Sequence, residues 1–494
     1  MDRSRWSLQT AKADWVLGCP ALTLAFFRRP KVASTGRRLI SVFAVALWLA
    51  GHGAAVRADY VWNLPPAFPV PKVPDDNPMS REKVELGRFV FYDVRMSGNQ
   101  TQACGSCHQQ RLAFSDGRPV AIGSTGQMHP RNSMSLTNAA YAASLAWANP
   151  LLTTLEKQVL VPMFGETPVE LGLSGMEDVL LARFKADPRY QRMFADAFPG
   201  ATDPITLETI VQSLTCFVRT LISGNAPYDR YINGLDDNAL SASAQHGGQL
   251  LFTERFECFH CHGAVNTWYP FTDSVTFAGY QFDDEPFHNN GLYNIDGMGG
   301  YPPNNTGVFG ITTIPADMGS FKAVTLRNIE LTAPYMHDGS IATLDGVIDH
   351  YAAGGRTITD GPYAGDGSKN PYKSGFIRGF QLTDQERQDV LAFLKSLTDT
   401  EFVTNPHFSD PFSTTACDGD CNLDGSVTVN ELVAGVDVAL GAAPLAACVA
   451  ADADGDGGVA INELVAAVNQ ALDGCPTPSV TPSPTPTPTS AATN

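Results

Sequence analysis

The chain has 494 residues, with 33 Lys and Arg against 51 Asp and Glu, and its formal net charge at pH 7 is −18. This length is sufficient for two or three domains. Such an acidic surface argues against binding nucleic acid or an anionic membrane. It would favour a basic protein partner, although acidity is also a general solubility trait.

The first 58 residues have the pattern of a secretory signal. Arg37 and Arg38 precede the apolar run 39–50, and Val56-Arg57-Ala58 fits the small-residue cleavage site. The apolar run is short for a membrane span. We therefore predict a signal peptide at residues 1–58, a mature chain from Asp59, and a periplasmic or secreted protein.

Two short cysteine motifs have the same spacing. They read Cys104-Gly-Ser-Cys107-His108 and Cys258-Phe-His-Cys261-His262, which is the attachment signature of c-type haem. Both thiols must reach the two vinyl groups of one porphyrin, and the adjacent imidazole then lies under the iron. A zinc site would need a second pair of ligands nearby, and a redox dithiol needs no trailing histidine. The two copies predict two covalent haem c groups, with His108 and His262 as iron ligands.

Helical patterns surround both motifs. We predict helices at 81–92, 174–198, 204–223, 241–252 and 382–397. Thr202 or Asp203 would cap the third, while Thr383 and Glu386 would form a capping box on the last. The stretch 263–320 is rich in Gly, Pro and Asn and reads as a functional loop region. The fold class is therefore mainly α, with two cytochrome c-like haem domains packed together at 59–235 and 236–405.

Two acidic loops near the C-terminus have the spacing of calcium loops. Oxygen ligands recur at every second position, and a glutamate stands at position 12. The predicted ligands are Asp420, Asn422, Asp424, Ser426, Thr428 and Glu431 in the first loop, and Asp452, Asp454, Asp456, Gly458 and Glu463 in the second. The alternative is that each is an acidic, Gly-rich surface loop that binds no calcium. Because each loop runs into a similar helix, we predict a small α-helical EF-hand pair at 416–475, resembling dockerin repeats, followed by a disordered Thr/Pro/Ser tail at 476–494.

The remaining cysteines agree with an oxidising compartment. Four cluster in the predicted calcium module and allow two disulfides in three pairings, namely Cys417, Cys421, Cys448 and Cys475. Cys216 lies in an apolar helical pattern and is predicted to be a buried thiol.

Several longer motifs point to a known family. They are 326–340 (LRNIELTAPYMHDGS), 350–355 (HYAAGG), 131–134 (RNSM), 168–172 (PVELG) and 286–294 (PFHNNGLYN). Through them the region from about 80 to 400 resembles the bacterial di-haem cytochrome c peroxidase/MauG superfamily. Within it, the chain is most similar to the MbnH-type enzymes associated with methanobactin-type copper systems. The resemblance does not cover the calcium repeats.

The sixth ligand of the second haem has several candidates. From the residues alone, Met336 is the obvious one, because methionine is a common axial partner of haem c, and His337 and His350 compete with it. The resemblance points instead to Tyr351, nineteen residues beyond Thr332, where MauG has an axial tyrosine. A phenolate is a hard anionic ligand that favours Fe(III) and higher states.

The resemblance also implies a peroxide site at the first haem. Ser124 stands where typical peroxidases carry a removable distal histidine, which suggests an open iron, although His129 is close enough in sequence to compete. The peroxide-pocket residues correspond to Glu170, a proton shuttle, and Gln158. Trp147 corresponds to the tryptophan between the two haems. The implied interdomain calcium ligands are Asn132, Thr332 and the carbonyl of Pro334.

These features predict a periplasmic peroxidase that uses H2O2 to form a high-valent two-haem state. That state would oxidise an aromatic residue of a partner protein, with tryptophan the first choice, because MbnH-type enzymes convert a partner tryptophan to kynurenine. One alternative is an ordinary cytochrome c peroxidase supplied with electrons by a small cytochrome or cupredoxin. Another is a non-catalytic electron-transfer cytochrome. In each case the C-terminal module offers a docking site for a partner.

Overall fold

The structure is a computed structural model. It describes residues 60–66, 68–262, 276–277, 280–281, 286–412, 417–422, 425–453 and 456–475. The predicted signal peptide, the calcium-loop residues Asp424 and Asp454, and the predicted tail lie outside these ranges.

Helices dominate the described part of the chain, and short 3-10 turns connect many of them. In chain order the α-helices are α1 Arg81–Tyr92, α2 Cys104–Cys107, α3 Leu155–Gln158, α4 Leu160–Phe164, α5 Glu177–Lys185, α6 Pro188–Ala197, α7 Leu207–Arg219, α8 Pro227–Ile232, α9 Ala242–Leu251, α10 Phe259–His262, α11 Phe309–Thr312, α12 Leu344–Ala352, α13 Asp384–Lys395, α14 Thr400–Thr404, α15 Val429–Ala439 and α16 Ile461–Asp473. None of the helices in the described ranges is long and apolar enough to cross a membrane.

Strands are few and short. Each ladder joins two antiparallel strands of two residues. They are β1 Thr276–Phe277 with β2 Tyr280–Gln281, β3 Phe287–His288 with β4 Phe321–Lys322, and β5 Thr357–Ile358 with β6 Gly365–Asp366. For the described residues, the expectation of a mainly α fold with little sheet is confirmed.

Two predicted helices differ from the observed ones. The predicted helix 174–198 is divided into α5 and α6, because Asp187 caps a new helix that begins with Pro188. Proline lacks the backbone N–H that would continue the preceding helix. Helix α7 is capped by Thr206, whose side chain accepts from the backbone of Thr209, so the predicted cap at Thr202 or Asp203 was wrong. The capping box of Thr383 and Glu386 on α13 is confirmed.

Each half of the haem-binding region contains one close helix crossing. Helix α1 packs on α7, and a Cβ at Gly87 would lie 2.0 Å from the Ser213 carbonyl oxygen. Helix α9 packs on α13, and a Cβ at Gly247 would lie 1.9 Å from the Asp389 carbonyl oxygen. Only glycine permits such an approach of two backbones. The crossings fix α1 and α9, which lead into the first and second cysteine motifs.

The apolar core consists of separate clusters around these crossings. The largest joins α1 and α7 to the first motif and contains the buried rings of Phe91, Phe114 and Phe217. A second lies between α9, α12 and α13. A third contains Tyr301 and Phe321, with Trp147 packed against it. Cys216 in α7 is fully buried, as predicted.

A buried ion pair joins the two haem-binding segments. Arg327 places its two terminal nitrogens 2.7 and 2.8 Å from the carboxylate oxygens of Asp229 in α8, and both residues are almost completely buried. Nearby, the Asp399 carboxylate accepts hydrogen bonds from Ser223 and two following backbone N–H groups. A bidentate pair of this kind has a restricted geometry, so it fixes the register of one segment on the other.

The C-terminal module packs on the first haem-binding segment. Arg189 donates to the Asp452 carboxylate at 3.1 Å and to the Asp452 carbonyl at 2.7 Å. Arg192 donates to the carbonyl of Gly457 at 2.9 Å, and Asp196 accepts from the backbone of Leu445. The disulfides within the module pair Cys417 with Cys475 and Cys421 with Cys448. The module therefore shares a core with the haem-binding region.

Asp229→Asn should destabilise the protein strongly. The substitution leaves the Arg327 guanidinium buried without its counter-charge, and breaking a buried pair in this way costs about 3–5 kcal/mol. Asp203→Asn is the matched control, because Asp203 forms an exposed pair with Lys185 at 2.5 Å, and exposed ion pairs contribute little to stability. Urea unfolding of the holoprotein measures both effects, and equal losses would contradict the structural role of Arg327.

Candidate functional site

Each cysteine motif forms one turn of helix that brings its two thiols together. The backbone N–H of His108 donates to the Cys104 carbonyl at 3.0 Å, and that of His262 donates to the Cys258 carbonyl at the same distance. The four motif cysteines form no disulfide. At Gly105 a Cβ would lie 2.5 Å from the Tyr92 ring, so the small residue between the first two thiols lets the turn pack against α1.

Both motif histidines are oriented by the same kind of hydrogen bond. The Nδ1 atoms of His108 and His262 lie 2.8 Å from the carbonyl oxygens of Phe114 and Val324, respectively. A carbonyl oxygen only accepts, so Nδ1 carries the proton in each ring and Nε2 presents its lone pair. Metal-ligating histidines usually have such a partner on the second nitrogen. The residues present therefore fit two haem irons.

A cavity of about 670 Å³ adjoins the first motif. It is of the size that small-molecule and cofactor sites occupy, about 300–1,000 Å³. Its lining brings together most of the residues that the sequence predicted for the first site, namely Cys104, Cys107, His108, Gln158, Glu170, Trp147, Asn132, Thr332 and Pro334. This lining fits a porphyrin held by the two thiols.

Glu170 and Gln158 line this cavity together. Burial raises the pKa of the Glu170 carboxyl, which brings it nearer to neutral pH, where a proton shuttle both accepts and returns a proton. The amide oxygen of Gln158 is buried and has no hydrogen-bond partner among the described residues. Because such orphaned groups are costly in a dry interior, this oxygen suits a polar ligand in the cavity.

His129 also lines the cavity, but its tautomer differs from that of the motif histidines. Its Nδ1 accepts a hydrogen bond from the backbone N–H of Arg131 at 3.1 Å, and burial lowers its pKa to about 4. The neutral ring therefore carries its proton on Nε2, which lies 3.9 Å from the Glu170 carboxylate. A protonated nitrogen cannot bind iron. The backbone N–H of Ser124, which the resemblance aligns with the distal histidine of typical peroxidases, donates to the Glu170 carbonyl at 2.7 Å.

Trp147 contacts the segments of both predicted haem sites. Its indole N–H donates to the Asn132 carbonyl at 2.8 Å, and its own carbonyl accepts from the backbone of Lys322 at 2.8 Å. Lys322 is two residues before Val324, which holds the second motif histidine. The tryptophan thus bridges the two sites through one hydrogen bond on each side.

The predicted interdomain calcium ligands Asn132, Thr332 and Pro334 all line the cavity of the first motif. The amide nitrogen of Asn132 is 3.5 Å from the Pro334 carbonyl oxygen, and Thr332 donates its hydroxyl hydrogen to the Ile329 carbonyl. A hard cation would need the oxygens of these groups as ligands. The calcium assignment itself remains a prediction.

Tyr351 lies beside the second pair of thiols. Burial raises the pKa of its phenol, and the nearby thiols of Cys261 and Cys258 raise it further, whereas a hydrogen bond from the Asn290 side chain lowers it. These interactions place the phenol next to the predicted haem attachment. Without a metal cation such a phenol stays protonated, so an iron ion would have to displace the proton.

Asn290 is a residue that the motif reading missed as a functional position. Its amide nitrogen is 3.3 Å from the Met336 sulfur, its side chain also bonds Tyr351, and its carbonyl oxygen is 3.1 Å from Nε2 of His350. It therefore contacts three of the competing ligands. His337, the fourth, stacks on the Phe321 ring with centroids 3.5 Å apart, away from this group. Asn290 lies in the motif 286–294, but that motif alone assigns no role to it.

The two C-terminal loops gather acidic side chains. In the second loop, the carboxylates of Asp452, Asp456 and Glu463 have oxygens within 4.8 Å of one another, and Oδ1 of Asp452 is buried without a hydrogen-bond partner. In the first loop, Asp420 accepts from the Gly425 backbone, and Glu431 accepts from the backbone of Asn422. Carboxylates arranged in this way suit Ca2+, and occupancy by calcium remains a prediction.

The family described as di-haem cytochrome c peroxidase matches residues 81–237. The methylamine utilization protein MauG of Methylorubrum extorquens is 33% identical over 70% of this chain and 84% of its own length. The chain belongs to the di-haem cytochrome c peroxidase/MauG family. It is an oxidoreductase that acts on peroxide, and the family implies two covalent haem c groups and redox protein partners.

Two further relatives show the range within this family. The cytochrome-c peroxidase IdrP1 of Pseudomonas sp. (strain SCT) is 33% identical over 73% of this chain and 92% of its own length. A crystal structure of a MauG-like protein associated with microbial copper homeostasis is 48% identical, with a TM-score of 0.67, and covers 72% of this chain and all of that one. Relatives of both the MauG and the peroxidase kind therefore resemble this chain.

Glu431→Gln and Glu463→Gln should each abolish one high-affinity Ca2+ site. The glutamate at position 12 supplies two of the oxygen ligands, and an amide supplies one neutral oxygen in their place. Isothermal titration of the chelator-treated holoprotein with Ca2+ measures the stoichiometry. Glu401→Gln, a change at an exposed carboxylate outside the loops, is the control. Unchanged stoichiometry in both loop variants would contradict the calcium assignment.

Proposed function

We propose that this enzyme is a protein-oxidising di-haem peroxidase of the MauG type, which takes oxidising equivalents from H2O2 and oxidises an aromatic residue, in the first place a tryptophan, of a partner protein. The carrying observation is the position of Tyr351 beside the second pair of thiols, with a hydrogen bond from Asn290. An anionic oxygen ligand stabilises the higher iron oxidation states that protein oxidation requires. The MauG-like solved structure at 48% identity supports the same choice.

The residues of the first cavity suit peroxide handling. When bound, the haem irons supply the redox chemistry, and this chain supplies proton transfer and orientation. Glu170 takes a proton from one peroxide oxygen and returns it to the departing oxygen, and its raised pKa suits both steps. The unpaired amide oxygen of Gln158 accepts a hydrogen bond from the peroxide. Since the His129 ring keeps its proton on Nε2, the pocket stays open to the substrate.

Trp147 is the residue that we assign to electron transfer between the two sites. Its indole N–H donates to the Asn132 carbonyl, and its backbone carbonyl accepts from the Lys322 N–H. The hydrogen bond that the indole N–H donates to the Asn132 carbonyl fixes the ring orientation. Oxidising equivalents generated at the first site thus have an aromatic intermediary on the way to the second.

An ordinary cytochrome c peroxidase is the second candidate, because relatives of that name are equally similar and because Met336 lies near Tyr351. A thioether ligand would stabilise Fe(II) and make the second haem a port for electrons from a small redox protein. The Asn290 side chain contacts both the Met336 sulfur and the Tyr351 phenol. Against this assignment, the phenol lies beside the Cys258 and Cys261 thiols, whereas Met336 lines the cavity of the first motif, which supports the phenol as the ligand.

The surface of the C-terminal module supports the proposed docking of a partner. Helices α15 and α16 each expose apolar side chains at the same helical spacing, which places them on one face. The exposed residues are Val429, Val433, Val436 and Leu440 on α15, and Ile461, Val465, Val468 and Leu472 on α16. Exposed apolar patches commonly mark interaction sites. We place this enzyme and its partner in the periplasm or outside the cell.

Tyr351→Phe should change the second iron's resting spectrum and abolish partner oxidation, while both haems remain covalently attached. Met336→Leu is the matched control and should cost less than about 1.5 kcal/mol, as volume-conserving swaps do. Electron paramagnetic resonance of the resting ferric protein reports the ligand set, and haem staining of the denatured chain reports attachment. If Met336→Leu alters the second haem signal and Tyr351→Phe does not, the enzyme is an ordinary peroxidase.

The ferric enzyme should consume H2O2 without prior reduction, because the His129 tautomer leaves the first iron without a distal ligand. Glu170→Gln should lower the rate by about 10²–10⁴-fold, the usual contribution of a general acid–base group. His129→Gln should leave the resting first-haem signal unchanged. Stopped-flow measurement of peroxide consumption and resonance spectra check these outcomes. Reaction only after reduction, together with a changed signal in His129→Gln, would identify His129 as an iron ligand.

A further inference from the structure

A second cluster of metal-ligating side chains lies beside the second haem motif and has no part in the proposed reaction. Glu254, Glu257 and His260 each offer one ligand atom, and these atoms all lie within 4.8 Å of one another. Nε2 of His260 is 2.9 Å from Oε2 of Glu257 and 3.7 Å from Oε2 of Glu254. The three residues lie on a single short stretch, and His260 stands between the two haem-attaching cysteines.

One member of the cluster is buried and has no hydrogen bond at the oxygen that faces the other ligand atoms. Glu257 is 6% exposed, and its Oε2 pairs with Nε2 of His260 at 2.9 Å, but neither atom makes a hydrogen bond within the described part of the chain. Arg378 lies 3.6 Å from the other Glu257 oxygen, and the Arg255 guanidinium is bound to Glu386. A buried carboxylate oxygen without a hydrogen bond is costly, and a cation shared with His260 would satisfy both atoms.

The ligand types and distances select the kind of metal. In a tetrahedral zinc site, bonds of 2.0–2.2 Å separate neighbouring ligand atoms by about 3.3 Å, and the two distances from His260 bracket that value. Imidazole suits zinc and copper, whereas calcium and magnesium prefer oxygen ligands. Glu254 and Glu257 also line a cavity of about 210 Å³ that reaches Tyr351, which leaves room for a water molecule as fourth ligand.

We propose that Glu254, Glu257 and His260 bind one divalent transition-metal ion of the zinc class next to the second haem. The ring of His260 is already held in place by stacking on Phe376, with centroids 4.2 Å apart and planes 13° apart. A dication at this position adds positive charge beside the haem-attachment turn and raises the reduction potential of that haem, because positive charge favours the reduced iron. The site does not depend on the proposed protein-oxidising function.

The test uses the chelator-treated holoenzyme, titrated with Zn2+ in the presence of saturating Ca2+ so that the C-terminal loops are occupied. We expect one Zn2+ per chain and an affinity at least about tenfold lower in Glu254→Gln and in His260→Gln, the scale seen on loss of metal-site interactions. Glu254 is 80% exposed on its side chain, so its substitution leaves folding intact.

His246→Gln is the matched control. His246 lies 2.7 Å from the Asp389 carboxylate, but that carboxylate also accepts hydrogen bonds from Ser243 and Gln385, and it offers no third ligand. This variant should bind Zn2+ like the wild type. Redox titration should show a rise in the second-haem potential on Zn2+ addition in the wild type and in His246→Gln, and none in His260→Gln. Equal Zn2+ affinity in all four proteins, or no binding to the wild type, would overturn the site.

Discussion

The predicted haem sites depend on one constraint, the hydrogen bond that fixes the orientation and tautomer of each motif imidazole. For His108 the acceptor is the carbonyl of Phe114, which follows Ala113 in a turn where both residues have left-handed backbone. Such a conformation costs about 1–2 kcal/mol per residue. The Phe114 side chain is fully buried against Phe91 and Phe402, and burial of this ring offsets much of that cost. The aromatic core therefore stabilises the turn, and the turn positions the carbonyl that orients His108.

The hydrogen-bond partner of each histidine, more than its sequence position, determines which ring nitrogen is protonated and so which nitrogen can bind a metal. His108 and His262 face carbonyl oxygens, which set the proton on Nδ1, whereas His129 faces a backbone N–H, which sets it on Nε2. Burial keeps the pKa of His129 at about 4 and that of His337 at about 4, so both rings are neutral at pH 7. Local backbone geometry thus decides which neutral imidazole presents a lone pair to the haem cavity.

Much of the fold could be predicted from local sequence patterns. The cysteine spacing, the capping box at Thr383 and the absence of alternating strands predicted the haem turns, α13 and the mainly α architecture. Long-range pairings left no local signal. The Arg327–Asp229 pair, the contacts of Asn290 and the disulfide pairing all join residues that only the tertiary fold brings together. The division between α5 and α6 was missed because the periodicity continues through Pro188. The ligand assignments beyond the motifs rest on resemblance.

Where the C-terminal module packs on the haem-binding region, the two oxygens of the Asp452 carboxylate have different surroundings. Oδ2 of Asp452 accepts from Arg189 and from the Gly457 backbone, whereas Oδ1 is buried without a partner. A cation at Oδ1 leaves the arginine contact intact, so metal binding and docking are compatible. Metal binding and docking both stabilise this loop. The positive charge of Arg189 reduces the repulsion of the Asp452 carboxylate with the carboxylates of Glu463 and Asp456. The module therefore stays attached to α6 while the apolar faces of α15 and α16 point to solvent.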